Sequence, residues 1–136
     1  MSDKNIFTIM LENKFYKIIN ISNDSEFHVF EVELLQDCDV YEGHFPGEAI
    51  APGVCNIQMI KECAEKVVGC KLLMYNLQQA RLTTLVKPDV HSRCEVRLQL
   101  QSSSDEEYKL RATIGSGDDI YLDLKAELRT VQSNKA

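Results

Sequence analysis

The sequence predicts an α+β domain in which one long, mostly buried central helix is wrapped by an antiparallel sheet of five or more strands. Three observations lead there. Apolar residues in the C-terminal half recur with period two, Gly53–Gly69 is the one long stretch with helical periodicity, and short polar clusters sit where strands must turn. At 136 residues the chain suits a single domain, 1–136, around one continuous core. Disorder is expected only at the ends, 1–4 and 132–136.

The strands are clearest downstream. Cys94, Val96, Leu98 and Leu100 face one way while Glu95, Arg97 and Gln99 face the other, the mark of a half-buried strand. Tyr108, Leu110, Ala112 and Ile114 repeat the pattern, as do Ile120, Leu122, Leu124, Ala126 and Leu128. The clusters SSSDEE and GSGDD separate the three, which predicts an antiparallel meander. Upstream, Phe15–Ile21 and Phe27–Leu35 read as a strand pair joined by SNDS, and Lys71–Val86 as a strand bent or bulged midway. In the helix, Ile57, Ile60, Ala64, Val67 and Val68 recur at helical spacing, with Met59 and Cys63 widening the stripe. Pro52 and Gly53 suit its start and Gly69 its end. A short helix around Ile6–Leu11 is weakly signalled.

Composition narrows the function. An apolar fraction of 44% with 26% charged residues is ordinary for a globular protein, and a net charge of −6 repels polyanions, which argues against nucleic-acid binding. No apolar run approaches the ~20 residues that span a bilayer, and the N-terminus lacks the apolar core of an export signal, so a cytoplasmic chain off the membrane is expected. Five cysteines, an odd number without a C-x-x-C pair, point to reduced thiols packed as small hydrophobes rather than a disulfide framework or zinc site.

The most informative stretch is YEGHFPGEAIAPGVCNIQMIKE, Tyr41–Glu62. Pro46-Gly47 and Pro52-Gly53 are rigid turns that would fix His44 relative to the helix start. Backbone N–H groups there are unpaired and carry partial positive charge, so a histidine beside them could act as a base next to an oxyanion site. The bland alternative is a turn histidine bonded to nearby backbone. His28, alternating with Phe30, Val32 and Leu34, is expected to be structural, and His91, after a turn, exposed. Cys55 is either a thiol activated by the helix start or, the plainer reading, a packed one.

GHFPGEAIAPGV resembles the H-F-P-x-x-P-x-x-P-G-V signature of the 3-hydroxyacyl-acyl carrier protein dehydratases of the hotdog superfamily, with Ala49 in place of the middle proline. LQQARLTTLVKPD, Leu77–Asp89, resembles the strand that follows in that family. The resemblance implies a hotdog fold, a homodimer or dimer of dimers with acyl tunnels between protomers, no metal or organic cofactor, and an acyl thioester substrate on acyl carrier protein in fatty-acid-type metabolism. It implies His44 as the base that takes the α-proton, and the Gly53 backbone as donor to the thioester oxygen. Phe45, Pro52, Val54, Cys55, Ile57 and Met59 would line the substrate site.

The resemblance also implies a carboxylate on the helix of the partner subunit that protonates the leaving hydroxyl; it belongs fourteen residues after the histidine, a position that Gln58 occupies. A glutamine amide has no proton to release near neutral pH. Glu62 lies one turn further on the same face, so it either takes over the acid role, alone or through a water ordered with Gln58, or belongs with Lys61, Glu65 and Lys66 to a polar helix side. Docking of an acidic carrier would use Lys61, Lys66, Lys71, Arg81, Lys87 and Arg93. The competing functions are a thioesterase and an acyl-thioester binding protein without turnover.

Overall fold

The computed structural model describes residues 10–35, 53–87 and 91–131. Its elements are β1 (Tyr16–Asp24), β2 (Phe27–Leu34), α1 (Gly53–Val68), β3 (Leu72–Leu82), β4 (Arg93–Ser104), β5 (Glu107–Ser116) and β6 (Asp119–Thr130). The strands form one antiparallel six-stranded sheet in the order β1-β2-β4-β5-β6-β3, with α1 packed against it. This is the hotdog arrangement, and β4, β5 and β6 are the expected meander.

Alternation produces the core directly. On β4, β5 and β6 the even-numbered Val96, Leu98, Leu110, Ala112, Ile114, Leu122, Leu124, Ala126 and Leu128 are buried, and α1 covers them with Met59, Ile60, Cys63 and Ala64. A fully buried side chain of leucine or methionine size contributes about 1.5–3 kcal/mol. Such a cluster is why the helix stays put.

The turns are tighter than the polar clusters implied. β1 runs through Ser22–Asp24, leaving Ser25 and Glu26 as the loop with Ser25 at φ 56°, so SNDS is mostly strand. The outer hydrogen-bonding pattern of a hairpin tolerates polar residues, and periodicity alone does not mark its last pairs. Gly117, at φ 59°, turns β5 into β6. Gly115 is needed for another reason: a Cβ there would collide with the Asp119 carbonyl oxygen, at the register shift between Ile114 and Gly115. β3 carries bulges between Met74 and Asn76 and between Leu77 and Gln79, and ends at Leu82, short of the predicted Val86. Gly69, at φ 92°, closes α1 in the left-handed conformation, its N–H donating to the Glu65 carbonyl at 2.8 Å.

Of the weak N-terminal helix, only Met10 and Leu11 fall within the described residues, and they are not helical. Leu11 instead opens a turn, accepting from the N–H groups of Lys14 and Phe15 at 2.9 and 2.8 Å, and Leu11, Phe15 and Tyr16 are buried against the core. His44, Phe45 and Pro52 lie outside the described residues, as do both predicted disordered ends.

Four cysteines are described: Cys55, Cys63 and Cys94 are buried and Cys70 is exposed. Among the described residues no helix is long and apolar enough to cross a membrane.

Candidate active site

α1 begins at Gly53, as the proline-glycine pair implies, and carries Val54, Cys55, Ile57, Gln58, Met59 and Glu62. Cys55 and Met59 are sealed in the core, Ile57 is half-buried, and Val54 is exposed.

Glu62 organises the helix middle. Its side chain is 1% exposed. Oε2 accepts from the Leu11 N–H at 2.7 Å and from Gln58 Nε2 at 3.0 Å, while Oε1 accepts from the Glu12 N–H at 3.0 Å and the Tyr16 hydroxyl at 2.8 Å. A carboxylate offers about four acceptor sites, and here all are used. The alternative that grouped Glu62 with Lys61, Glu65 and Lys66 on a polar side of the helix describes a face that is largely covered: Glu62 and Glu65 are buried. The physical reason is that two other elements cover this face. The turn before β1 brings backbone N–H groups and the start of β1 brings Tyr16 onto Glu62, and β3 brings the Leu72 N–H onto Glu65 Oε2 at 3.0 Å.

Lys61 completes the second clasp, donating to Glu65 Oε2 and to the Leu72 carbonyl, each at 3.0 Å. Lys66 pairs with Glu12 at 3.2 Å, and Arg93 with Glu31 at 3.7 Å. Lys61, Lys66 and Arg93, all expected to dock an acidic carrier, are thus already in ion pairs. His28 bonds Asn23 at the β1–β2 hairpin. His91 is not exposed as expected: its Nδ1 accepts the Lys87 N–H at 3.0 Å and its ring lies 4.7 Å from that of Tyr121.

The Gln58–Glu62 bond fixes the glutamine. Because a carboxylate only accepts, the atom facing it must be Nε2, which leaves Gln58 its second amide hydrogen and its carbonyl oxygen for other partners. Tyr16 and Asn56 are what the sequence reading missed. Asn56 had a visible signal, a polar residue on the Ile60 and Cys63 face of the helix; Tyr16 had none, since its partner is distant in sequence.

Burial, with the Cys63 and Glu62 charges adding to it, holds the Tyr16 hydroxyl far above its ordinary titration range. Burial and then Glu62 raise the Cys63 thiol, and burial followed by Glu95 pushes Cys94 up to about 12. These groups keep their protons when folded and release them at lower pH when unfolded. Above about pH 9 the native chain thus binds more protons than the unfolded chain, so this stabilisation is complete below about 9 and is lost as pH rises toward about 12. The expected result is a melting temperature level from about pH 7 to 8.5 that falls above about pH 9, with a shallower fall in Cys94→Ala. An equal slope in the variant would remove Cys94 from the account.

No curated protein sequence matches the chain. Among solved structures, a chain of the dehydratase heterocomplex ApeI:P from Xenorhabdus doucetiae superposes with a TM-score of 0.60 at 16% identity, covering 82% of this chain and 96% of that one. An uncharacterised Pyrococcus horikoshii protein gives 0.63 at 12% identity, covering 88% and 85%, and a Helicobacter felis protein 0.63 at 11%, covering 98% and 92%. At such identities the likeness is one of fold. Sequence carries the assignment further, because the family model for ApeI-like proteins, described as ApeI dehydratase, matches residues 20–122, and the chain belongs to that family.

Proposed function

We propose that the protein is a 3-hydroxyacyl thioester dehydratase in which His44 is the base and the Gly53 N–H steadies the thioester oxygen. The observation that carries this reading is the dehydratase family match in a chain whose histidine loop, GHFPGEAIAPGV, leads into α1 at Gly53. His44 takes the proton from the α-carbon, and the electron pair moves into the thioester as an enolate whose oxygen meets the helix-start donor. The pair then returns to form the double bond as the 3-hydroxyl leaves. Gln58 releases no proton, and Glu62 is occupied by four donors. The proton that departs with the hydroxyl, making water, is therefore the one His44 removed.

The test is to follow enoyl absorbance and free thiol together with 3-hydroxyacyl-pantetheine and 3-hydroxyacyl-carrier thioesters. Enoyl product without thiol supports the reading, thiol release would mean a thioesterase, and faster turnover of the carrier-linked form would name the carrier as partner. The saturated Glu62 favours one second reading, a protein that binds acyl thioesters without turnover; binding with neither product would establish it.

A homodimer belongs to the same proposal. β3 is an edge strand, and Leu73, Tyr75 and Leu77 on it are 44%, 41% and 45% exposed. An open edge bearing apolar side chains is a template for pairing with another strand. Leu77→Lys is expected to shift the protein from dimer to monomer in sedimentation. A wild-type protein that sediments as a monomer would rule the dimer out.

A further inference from the structure

The geometry points to Asn56 as the residue that receives the 3-hydroxyl of the substrate, an inference that rests on the dehydratase reading above. Asn56 is 0% exposed, and neither its Nδ2 nor its Oδ1 has a hydrogen-bond partner among the described residues. A buried amide left unpaired lowers stability, and native proteins seldom keep one without a use for it. An apolar side chain would serve the fold better at a position flanked on its helix face by Ile60 and Cys63, both fully buried.

Its place on α1 says what it can meet. Asn56 lies three residues after Gly53, on the same side of the helix and roughly 5–6 Å away at the Cβ positions. Among the described residues no atom lies within 4 Å of where a Gly53 Cβ would stand. Gln58, two residues on, projects to nearly the opposite side. A thioester whose oxygen is held at Gly53 therefore meets Asn56, and not Gln58, of the same chain.

The chemistry of the orphaned atoms selects the group. Nδ2 donates and Oδ1 accepts, so a carbonyl would satisfy only the first and an ammonium only the second. A hydroxyl does both, donating its hydrogen to Oδ1 and accepting from Nδ2. In a 3-hydroxyacyl thioester the hydroxyl carbon is separated from the carbonyl carbon by the single carbon that His44 would deprotonate. Holding both oxygens on one helix turn fixes the α-hydrogen and the leaving group relative to each other.

Asn56→Leu replaces the amide by an apolar group of similar size. It is expected to raise the melting temperature while lowering affinity for a 3-hydroxyacyl-pantetheine about 10- to 100-fold. Affinity for the matching acyl-pantetheine that lacks the hydroxyl should not change. Asn56→Ala, which needs no added bulk, is expected to show the same loss of discrimination. If both variants still prefer the 3-hydroxy ligand as the wild type does, Asn56 holds no hydroxyl and the inference is overturned, including the case in which its amide only binds a water. Wild-type protein that binds the 3-hydroxy ligand selectively but forms no enoyl product would defeat the dehydratase reading alone, since the variants still decide Asn56. Wild-type protein that does not prefer the 3-hydroxy ligand would overturn the inference whatever its turnover.

Discussion

Glu62→Ala is expected to cost about 3–5 kcal/mol of stability, a fall in melting temperature on the order of 10–20 °C for a domain of this size. The change strands four donors at once: the N–H groups of Leu11 and Glu12, the Tyr16 hydroxyl and the Gln58 amide. Two of these belong to the backbone of the turn before β1, so the turn loses the hydrogen bonds that tie it to α1 and keeps the Lys66–Glu12 pair and the packing of Leu11 and Phe15. Glu62→Gln should fall between alanine and wild type. Its own NH2 group must face either the Leu11 and Gln58 donors or the Glu12 and Tyr16 donors; the tyrosine hydroxyl can rotate and the Gln58 amide can flip to accept, but the backbone N–H on either side cannot, so one backbone donor is left unpaired. Tyr16→Phe removes one bond and should cost about 1 kcal/mol; in the Glu62→Ala background it should cost almost nothing, because the pair acts as a unit. A Glu62→Ala protein that melts within a few degrees of wild type would show that this carboxylate does not hold the turn.

Glu62 also shows where sequence reasoning reached its limit. Helix, sheet and meander were legible because each is written in a local period: Leu98, Leu110 and Leu124 each sit at an alternating position of its own strand. The start of α1 at Gly53 was legible because proline and glycine act on their own backbone. Glu62 was ambiguous, since its environment comes from residues about fifty positions away, and no local pattern says which donors will cover a helix face. Lys61 and Glu65, an ordinary i,i+4 surface pair by spacing, turned out to clasp β3 for the same reason. The residues that distinguish this helix are its polar ones, and their meaning lies in tertiary contacts.

The acid–base pair can be tested by removing one member and restoring the other. His44→Ala is expected to lower dehydration about 10²–10⁴-fold, the range for loss of a positioned base, with little change in melting temperature or in acyl-thioester affinity. Gln58→Glu should act in the opposite direction. The amide nitrogen now lies 3.0 Å from Glu62 Oε2, so a carboxyl in its place would face a buried carboxylate, and two such groups at that distance do not both ionise. They would share a proton and titrate as a pair, with the upper apparent pKa raised. The bound proton is then present below that value and lost above it, which, across the proposed dimer, would supply the substrate held at the partner subunit's Gly53 with a general acid that an amide cannot provide. Turnover should rise at least about tenfold near neutral pH and fall on the alkaline side, a limb that the wild type should not show if, as proposed, His44 makes both transfers. The double variant His44→Ala, Gln58→Glu should be as inactive as His44→Ala alone, because an acid has nothing to assist until the α-proton is gone. A folded Gln58→Glu protein with wild-type turnover and no new limb would mean that proton delivery to the leaving hydroxyl does not limit the reaction, and that His44 alone completes it.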